Sequence, residues 1–274
     1  MYETFYGLRE KPFSILPDPD LIYWGSNHSL ALAMLEYGVM NNAGFTVVTG
    51  EVGSGKTTLL RYLLRRIDPE ISVGLISNMM TGTEGLLAWV MMALNQPCEG
   101  SYPQLFQRFQ HFLYDEYNQG RHVILILDEA QTLGANMLEE LRMLSNINVD
   151  KAQLLQVILV GQPQLKDLLR SPQLLQFAQR VASDFHLEPL KQEEVADYIH
   201  YRLTAVGAHS QLFSAEACNL IAEASRGIPR TINILCDTAL VYGFAANTMN
   251  LNGALIEKVI DNKARYGVLP LSAY

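Results

Sequence analysis

The sequence predicts an α/β fold, a parallel sheet lying between helices, followed by a smaller all-helical domain. Three observations predict it. Five short, nearly continuous apolar runs alternate with helix-length amphipathic stretches, as expected when helices cover both faces of a parallel sheet. A glycine-rich loop joins the first of those runs to a helical pattern. After Glu188-Pro189-Leu190 the strand-like runs stop and only helical patterning continues.

In chain order the expected strands are 45–49, 73–77, 123–127, 156–160 and a weaker one near 182–187. The expected helices of this part are 28–41, 56–67, 84–94, 102–118 and 135–145, and the alternation reads as a layered domain. Beyond it, helices are expected near 193–206, 215–225, 229–244 and 253–266. Ser214 precedes an acidic first turn and suits an N-cap. Gly227 suits a helix stop, and Pro229 a first helical position. The expected domains are therefore 1–190, with an N-terminal segment and first helix over 1–43, and 191–274.

Composition narrows the function classes. The chain has 274 residues, 49% of them hydrophobic and 18% charged, with a net charge of −8. That suits a packed globular protein and counts against one dominated by nonspecific binding to nucleic-acid phosphates. Cys98, Cys218 and Cys236 lie far apart, so neither a disulfide framework nor a zinc site is read. The six histidines have no ligand spacing, and the paired methionines read as packing. The N-terminus lacks the apolar core of a signal peptide. No apolar run reaches the ~18 residues of a membrane span. A soluble, cytoplasmic protein is expected, any membrane contact coming through a partner or a surface patch.

The strongest motif is Gly50-Glu51-Val52-Gly53-Ser54-Gly55-Lys56-Thr57, followed by Thr58. It fits the phosphate-loop pattern G-x-x-x-x-G-K-[ST], in the required strand–loop–helix context. Glycines let the backbone curl so that successive N–H groups face phosphate oxygens. The helix N-terminus adds partial positive charge. Lys56 can reach the β- and γ-phosphates, and Thr57 offers a hydroxyl to Mg²⁺. The phosphates of a nucleotide and Mg²⁺ are the expected ligands.

The run 123–127 ends in Asp128 and Glu129. At this place in phosphate-loop proteins an Asp holds the magnesium ion, and a following Glu can polarise the attacking water. Gln162, at the tip of the next strand, is a candidate for the γ-phosphate or for orienting water, with a plain turn residue before Pro163 as the equal alternative. Asn78 could bind Glu129 in an off state, although an ordinary loop residue fits there as well. Arg230 stands in a first helical turn, a poor electrostatic place for a cation, and so is a candidate for folding back onto the phosphates. Arg180 is a candidate arginine finger for a neighbouring subunit, against a helix-end ion pair, with Arg170 as the fallback.

Together these features resemble an AAA+ ATPase with a helical lid. The N-terminal pattern narrows the resemblance: Tyr2, Phe5-Tyr6-Gly7-Leu8, Pro12-Phe13, Pro17-Asp18-Pro19, Tyr23, His28 and Ala31-Leu32. With Gly44-Phe45, Leu127-Asp128-Glu129-Ala130-Gln131, Leu159-Val160-Gly161-Gln162-Pro163, Gln179-Arg180 and Gly227-Ile228-Pro229-Arg230-Thr231-Ile232-Asn233, it is similar to the ExeA/general secretion pathway protein A family. The resemblance covers roughly residues 1–265. It implies Mg-dependent ATP hydrolysis at the interface of a homo-oligomer, a ring or filament, in assembling bacterial envelope machinery. It implies an envelope or secretion-system partner bound to the membrane. Secretion-type members continue into a transmembrane helix and a peptidoglycan-binding domain, whereas this chain stops at Tyr274, so a shorter pilus- or exosortase-type member is expected. Many relatives carry a second basic residue after the finger arginine; here Ser183-Asp184 stand in that region. Two other classes compete: a DNA-associated AAA+ protein, such as a transposition helper or initiator, and a nucleotide-gated scaffold of slow turnover.

Overall fold

The computed structural model describes residues 1–77, 85–150, 152–208 and 211–267. Its strands are β1 (Phe45–Gly50), β2 (Ser72–Ile76), β3 (Val123–Leu127), β4 (Asn148–Val149), β5 (Ala152–Gln153), β6 (Leu155–Gly161) and β7 (Val181–Leu187). The helices are α1 (Tyr2–Tyr6), α2 (Ser26–Met40), α3 (Lys56–Arg66), α4 (Leu86–Ala93), α5 (Tyr102–Asn118), α6 (Gly134–Leu144), α7 (Pro163–Leu169) and α8 (Leu175–Ala178). They continue with α9 (Gln192–Ala205), α10 (Ala215–Ser225), α11 (Pro229–Ala245) and α12 (Gly253–Tyr266).

The chain forms two compact units. One comprises residues 30–50 and 60–187. Its sheet has the order β2-β3-β6-β1-β7, with every pairing parallel. The three central strands β3, β6 and β1 are buried along their whole length, whereas the edge strands β2 and β7 alternate with solvent. This burial explains the uninterrupted apolar runs of the central three. Register brings Leu127 opposite Leu159 and Thr49 opposite Gly161, so these strands end together on one edge of the sheet. Phe45, Phe109, Leu125 and Phe177 are fully buried in the core, with the rings of Phe45 and Phe177 4.4 Å apart. The buried amide of Gln156 is satisfied by donating to the Gly38 carbonyl at 2.7 Å.

The other unit comprises residues 1–29, 51–59 and 188 onward. Its core is built from α9–α12 together with Tyr2, Tyr6, Leu8 and Phe13. β7 ends at Leu187, and the helices α9–α12 of this unit follow. The first 29 residues, however, pack with those helices rather than with the sheet unit. The physical reason is a set of specific contacts. The Tyr6 hydroxyl donates to the Leu240 carbonyl at 3.2 Å, and the Tyr2 hydroxyl to the Asp237 carboxylate. Buried Arg202 donates from Nε to the Pro12 carbonyl at 2.7 Å, and Asn233 donates to the Ser14 carbonyl at 3.1 Å. Helix ends here follow local chemistry. Ser214 Oγ accepts from the Ala217 amide, Arg226 and Gly227 take positive φ after α10, and Pro229 opens α11.

Candidate phosphate-loop and sheet-edge site

The loop Glu51–Gly55 leads from β1 into α3. It is a tight curl: the Ser54 amide donates to the Glu51 carbonyl at 3.1 Å, and the Leu59 amide to the Gly55 carbonyl at 2.9 Å. Gly53 and Gly55 have φ of +83° and +100°, the region glycine occupies without strain. A Cβ at Gly53 would lie 2.5 Å from the Arg230 Cβ, and one at Gly55 3.1 Å from His28 Nε2. The loop is thus held between His28 and Arg230, both in the same compact unit. The Arg230 amide donates to the Gly53 carbonyl at 3.1 Å, and His28 Nε2 lies 3.0 Å from the Ser54 carbonyl oxygen. Arg230, a candidate for the phosphates, lies beside Gly53. His28, which suits a cap or a contact near the base, lies beside Gly55.

Lys56 is 7% exposed, and its ammonium donates to the Glu51 carbonyl at 2.8 Å. Thr57 and Thr58 follow in the first turn of α3, whose orphan amides and dipole favour an anion. Ser54 Oγ and His28 Nδ1 are buried and find no hydrogen-bond partner among the described residues. Burial lowers the His28 pKa, while the Ser54 carbonyl and the Glu194 charge pull it the other way. A curled loop with a buried lysine, a hydroxyl-bearing helix start and an orphan serine hydroxyl fits a polyphosphate.

The two candidate carboxylates lie in the sheet unit. β3 ends at Leu127, and the Asp128 amide extends the ladder by donating to the Ile76 carbonyl at 2.8 Å. Asp128 Oδ1 accepts from the Glu129 amide at 2.9 Å. Glu129 sits at φ +54°, uncommon for a residue with a side chain. Its carbonyl accepts from the Thr132 amide and hydroxyl at 3.0 and 2.9 Å. Its carboxylate Oε2 accepts from Gln162 Nε2 at 3.0 Å and from Gln131 Nε2 at 2.6 Å. The structure therefore brings Gln162 and Glu129 together. Gln131 was part of the quoted motif but had been given no role. The signal available was its position two residues past Glu129, before the helix.

Arg180 is exposed just ahead of β7, with Nη1 3.4 Å from Ser145 Oγ, and Arg170 is exposed at the end of α7. Asn78, proposed as a partner of Glu129, lies outside the described residues. Among the described residues no group of three His, Cys, Asp or Glu side chains could hold a metal ion. Thr57 and Asp128 offer hard oxygen donors, the kind magnesium takes alongside phosphate and water.

The sequence model of a family described as an AAA domain matches residues 39–169. That stretch has the fold of an AAA domain. General secretion pathway protein A of Aeromonas hydrophila is 40% identical over 247 residues, which are 89% of this chain and 45% of that protein. The chain thus spans less than half the length of that relative. This likeness bears out the resemblance carried by the N-terminal pattern and the Asp-Glu-Ala-Gln and Gly-Gln-Pro segments. Among solved structures, Drosophila ORC bound to DNA matches with a TM-score of 0.69 and 18% identity, over 92% of this chain and 64% of that one. The Aeropyrum pernix ORC2 protein with ADPNP and ADP matches at 0.62 and 18%, over 85% and 66%. At such identity they speak for the fold alone, and that fold is the AAA fold with a parallel sheet between helices and a helical C-terminal region.

Proposed function

We propose that this AAA protein hydrolyses ATP with Mg²⁺ in a homo-oligomer and uses the cycle to assemble or operate a bacterial envelope system of the secretion, pilus or exopolysaccharide kind. The observation that carries the hydrolysis reading is Glu129, one residue past Asp128 and held by the Gln162 amide at 3.0 Å. A carboxylate fixed in this way, in a chain that also carries a complete phosphate loop, is equipped to orient water for in-line attack.

In this reading Gly50 to Gly55 cradle the phosphates by backbone amides. Lys56 leaves the Glu51 carbonyl to face the β- and γ-phosphates. Thr57 and Asp128 would hold the magnesium ion, which when bound offsets charge on the phosphate oxygens. Glu129 aligns water as its oxygen forms the new bond to the γ-phosphorus and the bridging oxygen leaves with ADP. Gln162 reads the γ-phosphate, and Arg230 offsets its charge. Arg180, exposed and weakly held, reaches the nucleotide of a neighbouring copy, with Arg170 as the alternative. A secretion role is suggested by the relative's name. Among the described residues no helix is long and apolar enough to cross a membrane. A cytoplasmic protein, brought to the inner membrane by a membrane-bound partner, follows from this reading.

The test is ATPase rate against protein concentration for the wild type, Glu129→Gln and Arg180→Ala. A rate per subunit that rises with concentration and collapses in both variants is expected. Concentration-independent turnover, or turnover that survives Glu129→Gln, would sink the shared-site reading. Tight ATP binding with no turnover in any of the three would leave a nucleotide-gated scaffold.

A further inference from the structure

We propose that Gln131 is a positioning residue for hydrolysis, holding the Glu129 carboxylate and tying it to the tip of β6. This rests on the reading of Glu129 as the water-orienting carboxylate.

Three hydrogen bonds form a closed ring. Gln131 Nε2 donates to Glu129 Oε2 at 2.6 Å. Gln131 Oε1 accepts from the Gln162 backbone amide at 3.0 Å. Gln162 Nε2 then donates to the same Glu129 Oε2 at 3.0 Å. The ring leaves no choice of amide orientation. A backbone N–H can only donate and a carboxylate can only accept, so the Gln131 oxygen must face Gln162 and its nitrogen must face Glu129. A glutamine is the neutral side chain with both functions at this reach.

The surroundings are shaped for that amide. A Cβ at Gly161, the last residue of β6, would lie 2.8 Å from Gln131 Oε1. The bare backbone at 161 makes the room Gln131 occupies. Glu129 itself stands at φ +54° with its carbonyl fixed by Thr132, so its main chain is set, and the two amides set its side chain. Gln162 is the residue read as meeting the γ-phosphate. When its side chain turns to that phosphate, Gln131 still holds Glu129. Gln131 thus keeps the carboxylate in place through the step in which Gln162 is otherwise engaged.

The experiment compares wild type, Glu129→Gln, Gln131→Met and Gln131→Glu. It measures kcat, affinity for a non-hydrolysable ATP analogue, melting temperature and the pH dependence of turnover. Gln131→Met keeps the size and removes both hydrogen bonds. It is expected to lower kcat by about 10- to 10²-fold, the scale of a small misplacement of a catalytic group, with analogue affinity and melting temperature unchanged. Gln131→Glu places a second carboxyl beside Glu129. The like charge raises its pKa, and once protonated it again donates to Glu129. Its deficit relative to wild type is therefore expected to shrink as pH falls.

Undiminished kcat in Gln131→Met, or a deficit in Gln131→Glu that ignores pH, overturns the proposal. So does a loss of analogue affinity or of melting temperature that matches the loss of rate, which would make Gln131 structural. If Glu129→Gln abolishes turnover while both Gln131 variants retain it, the hydrolysis reading stands and this proposal falls. If Glu129→Gln leaves turnover intact, both fall.

Discussion

The imidazole of His28 rests against the phosphate loop, its Nε2 3.0 Å from the Ser54 carbonyl oxygen. A carbonyl can only accept, so Nε2 carries the proton and the neutral ring leaves Nδ1 bare. His28 is 6% exposed, and burial lowers its pKa below the ordinary 6.5. The folded state then binds fewer protons than the unfolded chain once pH drops below that ordinary value. This contribution is absent at pH above 6.5 and grows into a loss of stability as pH falls toward the lowered folded pKa. Melting scans across this range should show the decline, and His28→Gln, which keeps a donor toward Ser54, should flatten it.

Gly53 admits no side chain. Its positive φ alone would cost about 1–2 kcal/mol in an L-residue, and an added methyl would meet Arg230 at 2.5 Å. Gly53→Ala should weaken ATP binding and lower the melting temperature together. Calorimetric titration with ATP and a melting scan check both.

Arg202 is buried, and its Nε donates to the Pro12 carbonyl. Arg202→Ala strips that carbonyl of its donor and should cost on the order of 2–4 kcal/mol, the scale of an unsatisfied buried partner plus lost packing. Denaturant unfolding measures the loss. Limited proteolysis should cut the variant faster within residues 12–25.

Arg180 gives the opposite signature. Its 3.4 Å contact with Ser145 is long and the arginine itself is exposed, so Arg180→Ala should shift stability by less than about 0.5 kcal/mol. If it serves a neighbouring subunit, turnover at high protein concentration should fall by roughly 10³-fold or more, the scale of such arginines elsewhere. Unfolding and kinetics on one preparation separate the two effects.

The central strands were legible because burial on both faces favours apolar residues, a polar one such as Gln156 being admitted only with a partner. Val123–Leu127 is apolar throughout, and the strand has those bounds. The phosphate loop and Asp128-Glu129 were legible because their chemistry is tied to strict spacing. The short helices α7 and α8 were not, since seven and four residues do not reveal a period and Pro163 reads as a turn. The β4–β5 pair was missed because two residues per strand, largely polar, carry no alternation. Gln131 was invisible as a clamp because its partners come from residue 162 as well as 129, and only the register of β3 against β6 brings them together. The N-terminal aromatics looked like a signature; their partners, some 234 residues away at Leu240, belong to tertiary structure alone.

The same bond from Tyr6 to Leu240 bears on how the chain is made. Residues 51–59 share a compact unit with both ends of the sequence, while the five-stranded sheet is complete by residue 187. A ribosome delivers residues in order, and pairings that span the chain wait for its later parts. Chains stalled short of residue 229 should therefore hold a protease-resistant sheet yet retain no ATP. Loop and sheet precede α11 in synthesis, but the Arg230 amide that fastens Gly53 emerges only with that helix. In the proposed reading the phosphate loop stays unfastened until α11 is made, and nucleotide capture waits for that helix.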